Sequence, residues 1–348
     1  MERKAVLNVN MNVALLYNIR NIYPDPKDPH SHIEADYDDP QTIESMIANL
    51  KKCGYSVIPI EANEEGVAKL YKEKKNIDIV LNYSLGNRGK ERNALFPAVM
   101  ECFGIPYTGS GVLTQALILN KAKCKDMLKS YGIPVLPHQL FKNKDEALSK
   151  KLHYPLIVKP VAQGSSAGIT NDSVVHNAQK LKKQVAFIID TFNDCALVEP
   201  FLEGREFSVP MLGNPPIILP IIESDHSKLP KGYNHLDSFE VKWIFEEETE
   251  DNNLICPARI EKSLENKIKN ICIKVWEALG IFDLCRIDIR CDLKGNPYVL
   301  EVNSPPGLIP PEVSKTSYFP YSAGIAGIKY TELLKEIVDS AKLRYSTR

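Results

Sequence analysis

Net charge is the first thing this 348-residue chain lacks: 43 Lys+Arg stand against 44 Asp+Glu, leaving −1 at pH 7. A protein held to nucleic acid by bulk charge is usually basic, so a mainly nucleic-acid role is not expected. Long apolar runs are missing too. No stretch approaches the ~18 apolar residues of a membrane span, and the densest, Pro215–Ile222, is broken by prolines. The start, MERKAVLNVNMNVALLY, has neither a continuous apolar core nor a small-residue cleavage site, so no signal peptide is read there. The eight cysteines, from Cys53 to Cys291, contain no CxxC pair. In a chain this long they read as reduced thiols of a cytoplasmic protein, not as a disulfide framework, and no metal is assigned to them. No Walker A motif is present, because Gly86–Lys90 has the wrong spacing. Gly109-Ser110-Gly111 lacks the third glycine of a dinucleotide fingerprint. There is no internal repeat.

What is present is ordinary for a globular protein with real cores: 44% hydrophobic and 25% charged residues. At ~100–200 residues per domain, two or three domains are expected. Asn12–Tyr17, Ser56–Ile60 and Ile77–Leu81 are short Val/Ile-rich runs, with a helical stretch from Ile43 to Cys53 ended by Gly54. That alternation predicts a parallel α/β sheet. Ile22–Pro40, rich in Pro, Asp and His, reads as a long loop after the first strand, and such loops are usually functional or mobile. Its His30 and His32 are expected to be solvated. A helix at Lys121–Ser130 opens a second region, and a third begins near Glu206. There, apolar residues spaced three and four apart between Ala258 and Gly280 mark a helix face. Strands at Cys285–Cys291 and Tyr298–Asn303 follow it. The acidic run Glu246–Asp251 reads as a solvated loop.

Two patterns carry chemistry. The strand ending in Lys159 runs into Ala162-Gln163-Gly164-Ser165-Ser166-Ala167-Gly168. Glycines let backbone N–H groups approach phosphate oxygens, hydroxyls add donors and the lysine neutralises charge. The second pattern is Arg286-Ile287-Asp288-Ile289 followed by Leu300-Glu301-Val302-Asn303. Residues two apart on a strand share a face. A hairpin turning at Lys294-Gly295 without a bulge sets Asp288 across from Glu301 and Arg286 across from Asn303, with Leu300 and Val302 on the other face. Facing carboxylates repel unless a cation joins them, and Mg²⁺ takes such oxygens together with phosphate.

The segment LCRIDIRCDLKGNPYVLEVNSPPG resembles the metal-binding hairpin of ATP-grasp ligases, specifically D-alanine–D-alanine ligases. GIPYTGSGVLTQALILNK, YPLIVKPVAQGSSAGI, LVEPFLEGREFSV, FEVKW and ICPA resemble further segments of that family in the right order. The resemblance implies an α/β, three-domain ATP-grasp fold. It has an N-terminal parallel α/β domain over residues 1–119, a central subdomain over 120–204 and a C-terminal subdomain over 205–348, with ATP held between the last two. It implies an ATP-dependent carboxylate–amine ligase that works through an acylphosphate on small amino-acid-like substrates, as a cytoplasmic homodimer. Alternatives are a specialised ligase with another carboxylate, amine or thiol, or a nucleotide-binding protein without ligase activity. Lys121 and Lys159 would meet the ATP phosphates from opposite sides, Glu199 and Leu202 the adenine, and Glu206 the ribose. Ser165 and Ser166 would lie on the loop over the γ-phosphate, with Lys242 near it. Asp288, Glu301 and Asn303 would bind two Mg²⁺ ions, with Mn²⁺ an alternative. Arg286 and the N–H of Gly307 would stabilise the tetrahedral intermediate.

The chain departs from that family at the first-substrate end. The family's early glutamate, which holds the first amino group, has no counterpart, because the first strand runs into Tyr17-Asn18-Ile19-Arg20. Glu34, Asp36 or Asp38 stands as its replacement. Asn82-Tyr83 occupies the place of the family's His-Gly segment, and Trp243 that of a tyrosine after the mobile-loop lysine. After Pro306-Gly307 the chain is longer by about five residues, and aligning on Pro320 puts Ser317 where the family's serine binds the second substrate's carboxylate.

Overall fold

The computed structural model describes residues 11–25, 28–245 and 253–346. The acidic run Glu246–Asp251 and the first ten residues of the N-terminal reading lie outside them.

Three sheets organise the described residues. The first is parallel, with Asn12–Tyr17 between Ser56–Glu61 and Ile79–Asn82. Helix Pro40–Lys52 joins its first two strands and ends where Gly54 takes φ +88. The last helix, Tyr330–Ser346, packs Leu333, Leu334, Ile337 and Val338 against Val13, Leu15, Met46 and Leu50, so the end of the chain covers the first sheet. Between the first strand and helix Pro40–Lys52, where a loop over Ile22–Pro40 is expected, the described residues 18–25 and 28–39 contain a short 3₁₀ turn at Pro29–Glu34.

The second sheet is antiparallel, in the order Gln139–Phe141, Ala196–Pro200, Leu156–Pro160, Val174–Val175. The third is also antiparallel and runs Leu254–Ile255, Ile222–Ser224, Glu206–Leu212, Leu284–Cys291, Pro297–Asn303. Its apolar face packs on helix Lys262–Leu279: Cys285, Ile287 and Ile289 meet Ile268, Ile271, Cys272 and Val275. That helix starts later than its apolar pattern, because Ala258–Glu261 precede it as irregular chain after Pro257. Alternation along Leu284–Cys291 then turns Arg286, Asp288 and Arg290 to the opposite face. Lys121 opens helix Lys121–Ser130, where the Asn120 side chain caps the N–H of Lys123 and the N–H of Lys121 bonds Val161 O at 3.0 Å. The helix is thereby anchored beside the strand that carries Lys159. Among the described residues no helix is long and apolar enough to cross a membrane.

Candidate active site

Asp288 pairs across the third sheet with Glu301, and Arg286 with Asn303, as the sequence predicts. The route to that register differs. The turn is one residue longer, closing as the N–H of Asp292 bonds Asn296 O at 3.0 Å around Gly295 at φ +78. A bulge between Asp288 and Ile289 makes Leu300 an extra residue on the second strand. The two one-residue offsets cancel. The bulge also corrects the facing of Leu300, which lines the same cavity as Glu301 instead of turning away.

Two cavities meet at this hairpin. The larger, of ≈ 310 Å³, is lined by Lys121, Ser165, Lys242, Arg286, Asn303, Gly307 and Ser317 among others. The smaller, of ≈ 90 Å³, is lined by Lys159, Ser166, Glu199, Leu202, Glu206 and Asp288 among others. Lys242, Glu301 and Tyr318 line both.

Charges in this cleft are matched with care. Arg286 holds Asp288 in a two-pronged bond, Nε to Oδ1 at 2.9 Å and Nη2 to Oδ2 at 3.0 Å. Ser208 Oγ donates to Asp288 Oδ1 at 2.6 Å and Asn303 Nδ2 to Oδ2 at 2.8 Å. The Asn303 amide oxygen is thereby left as the acceptor atom of that side chain. Glu301 lies 3.4 Å from the Lys121 ammonium, and Lys121 also donates to Gln163 O. Burial would raise the Glu301 carboxyl, but Lys121, Lys159, Lys242 and Arg286 hold it down to about 2. Burial would lower Lys242, yet Asp237, Asp288 and Glu301 keep it above the usual lysine range. Two carboxylates and an amide oxygen facing one cleft are a hard-cation donor set, so these residues fit Mg²⁺.

At the smaller cavity Lys159 Nζ lies 2.5 Å from Glu199 Oε1. Glu206 pairs with Arg290, which also donates to Leu202 O at 3.0 Å and to His235 O. Ser166 Oγ donates to Asp237 O at 2.7 Å. Ser165 and Ser166 both sit in left-handed backbone, φ +45 and +59, a strained conformation for non-glycine residues that clusters at functional sites.

The long first-domain loop reaches the site. Asp36 and Asp38 line the larger cavity. Glu34 does not: its carboxylate accepts the N–H groups of Asn21 and Ile22 at 2.6 and 2.8 Å, which removes it from the three candidate acids for substrate. Tyr83 OH donates to Asp38 Oδ1 at 3.4 Å and accepts the N–H of Leu308 at 3.1 Å. His32 is buried, not solvated, and stacks on Phe239 with ring centroids 3.6 Å apart. The Trp243 indole donates to Ser165 O at 3.3 Å, and Arg20 lies 4.7 Å over its ring. Ser317 occupies the N-cap position of helix Tyr318–Ile325, yet its hydroxyl makes no capping bond. A Cβ on Gly307 would stand 4.0 Å from that hydroxyl.

Several residues here have no part in the sequence expectations. Arg290 continues the period-two face of Arg286 and Asp288, so strand alternation is its signal. Lys125 lies four residues beyond Lys121 on one helix face. Asp237 accepts from Tyr318 OH at 3.1 Å and from Ser224 Oγ at 3.0 Å, and bonds the His226 ring at 2.7 Å; no local pattern announces it.

Residues 127–339 match the family model described as D-ala D-ala ligase C-terminus. The chain is 31% identical over 301 residues to the D-alanine–D-alanine ligase of Actinobacillus succinogenes, covering 85% of this chain and 90% of that protein. It is 29% identical over 330 residues to an uncharacterised protein of Sinorhizobium fredii, covering 93% and 92%. The crystal structure of a Bacillus anthracis D-alanine–D-alanine ligase complexed with ATP superposes with a TM-score of 0.71 at 24% identity, over 97% of this chain and 100% of that one.

Proposed function

Because the chain belongs to the D-alanine–D-alanine ligase family of ATP-grasp ligases, we propose that it forms an amide bond between two small amino acids at the expense of ATP. The observation that carries the reading is the shared wall, Lys242 and Glu301, between the two cavities. A nucleotide in the smaller cavity then presents its phosphates to a carboxylate in the larger one. Lys159 and Lys121 approach those phosphates from the second sheet and from the helix beside it. Glu199, Leu202, Glu206 and the bulged Leu300 form the adenosine side.

A carboxylate is a poor electrophile, and phosphoryl transfer converts it to an acylphosphate that an amine can attack. Lys242 neutralises charge as the phosphoryl group moves, and Arg286 with the Gly307 N–H receives the oxyanion of the tetrahedral species. Asp288, Glu301 and Asn303 would hold two Mg²⁺ ions, which would shield the phosphate charge when bound. Asp36 or Asp38 takes the first substrate's ammonium, and Ser317 the second substrate's carboxylate. We read the first substrate as an amino acid other than D-alanine, or as D-alanine held by one of those two acids. The eight unpaired cysteines support a reducing, cytoplasmic setting.

Amino-acid pairs of both configurations, screened for ATP-dependent phosphate release with mass spectrometry of the products, test the proposal. A dipeptide formed with stoichiometric ADP is expected. Phosphate release without a coupled product from every pair would defeat it.

A further inference from the structure

Lys125 is one of the most deeply buried charges in the chain, 2% exposed, and lines neither cavity. Its ammonium lies 3.0 Å from Glu199 Oε2 and donates to Val299 O at 3.2 Å. The other oxygen of the same carboxylate, Oε1, lies 2.5 Å from Lys159. Two buried ammonium groups therefore share one fully buried carboxylate. Burial lowers the Lys125 ammonium and by itself would raise the Glu199 carboxyl, but the two lysines hold Glu199 down to about 2.

Lys159 also feels Glu301 and Glu206, which favour its ammonium, whereas Glu199 is held ionised by these two lysines, and a buried carboxylate left without a counterion is costly. The two lysines differ in what they can reach. Lys159 lines the smaller cavity, whereas Lys125 is tied to Val299 O behind it. When Lys159 turns from Glu199 to a phosphate, Glu199 keeps a counterion because Lys125 stays. We propose that Lys125 is the standing counterion of Glu199, a positioning residue that frees Lys159 to bind the anionic nucleotide. Without it, Lys159 is the one lysine left to Glu199, and each nucleotide bound strands a buried carboxylate.

The inference rests on the nucleotide reading of the smaller cavity, and calorimetric titration of the full chain with Mg²⁺–ADP separates the two. Wild-type protein that does not bind overturns that reading, and this inference with it. Given wild-type binding, Lys125→Met is expected to raise the dissociation constant by about tenfold or more in a protein that still melts cooperatively. Binding equal to wild type in that folded variant overturns the role of Lys125 alone. In the Glu199→Gln background there is no carboxylate to strand, so adding Lys125→Met is expected to change the dissociation constant by less than about threefold, whatever Glu199→Gln alone costs at the adenosine side. A merely structural lysine predicts the same loss in both backgrounds, and that result also overturns the proposal. Should Lys125→Met not fold, Lys125→Gln, which keeps a donor for Val299 O, is read by the same two comparisons.

Discussion

The carboxylate of Asp36 accepts the backbone N–H of Gly164 at 2.9 Å, joining two loops 128 residues apart. Asp36 also lies 3.8 Å from Arg92, whose guanidinium donates to Ala162 O at 2.9 Å. One wall of the larger cavity is thereby fastened to the glycine-serine loop that follows Lys159. If Asp36 takes the first substrate's ammonium, this bond and the Arg92 bridge couple that substrate to the glycine-serine loop.

That coupling can be cut from either side. A Cβ at Gly164 would stand 2.4 Å from Asp36 Oδ1, and the obstacle is the end of a side chain that can move aside. Gly164→Ala and Asp36→Ala should each lower kcat/KM by about tenfold to a hundredfold, the worth of a hydrogen bond to a charged acceptor. The double variant should be little worse than Asp36→Ala alone, because the bond that Gly164→Ala breaks is already absent there. Effects that multiply in the double variant would show that the two residues act separately.

Asp38 sets a pH dependence. Burial pushes its carboxyl up to about 7 from the ordinary 3.8. Its neutral form is favoured in the folded protein, so this group's contribution to stability is full below about pH 4 and is lost as pH rises through about 7. Below pH 7 the protonated acid cannot pair with an ammonium. If Asp38 holds the first substrate, kcat/KM for that substrate should fall about tenfold per unit below pH 7, and Asp38→Asn should remove that limb. Melting temperatures from pH 4 to 7 should fall in the wild type relative to Asp38→Asn. A retained acid limb in Asp38→Asn would transfer the role to Asp36.

The metal-site reading puts Asp288 and Glu301 on one cation cluster. Asp288→Asn and Glu301→Gln should each lower turnover by about a thousandfold and raise the Mg²⁺ concentration needed for half-maximal rate. Circular dichroism should report an intact fold, since an amide oxygen at position 288 can still accept from Arg286 Nε and Ser208 Oγ. Near-normal turnover at low Mg²⁺ in either variant would remove the hairpin from metal binding.

Much of this site is legible in the sequence because strand and helix periods are local. Alternation over Arg286–Ile289 and Glu301–Asn303 defines the polar face by itself, and Lys121 and Lys159 stand at element ends that the pattern marks. What the sequence conceals is non-local. The bulge at Leu300 arises from a turn one residue longer than the shortest hairpin, and no single-strand pattern reports it. Glu34, Asp36 and Asp38 alternate along one loop, and which of them faces the cavity depends on Glu34 being taken up by the N–H groups of Asn21 and Ile22. His32 lies in a polar loop, where side chains are usually solvated, yet Phe239, 207 residues later, covers it.

Ser317 provides the sharpest test of the second-substrate end, because its placement depends on an alignment across an insertion. The residue stands where a helix cap would stand, yet its hydroxyl makes no cap bond and lies beside Gly307 on the cavity wall. A hydroxyl that does not serve its own helix is free to donate to a carboxylate. Losing a hydrogen bond to a charged partner costs about 1.5–3 kcal/mol, which is about a tenfold to a hundredfold change in affinity. Ser317→Ala should therefore raise KM for the second amino acid by that factor and leave KM for ATP within about twofold. Helix Tyr318–Ile325 should keep its stability, since no cap bond is lost, and the melting temperature should hold within about 2 °C. A second-substrate KM unchanged in Ser317→Ala would show that another group in the segment 308–320 takes the carboxylate, and the alignment on Pro320 would have to shift.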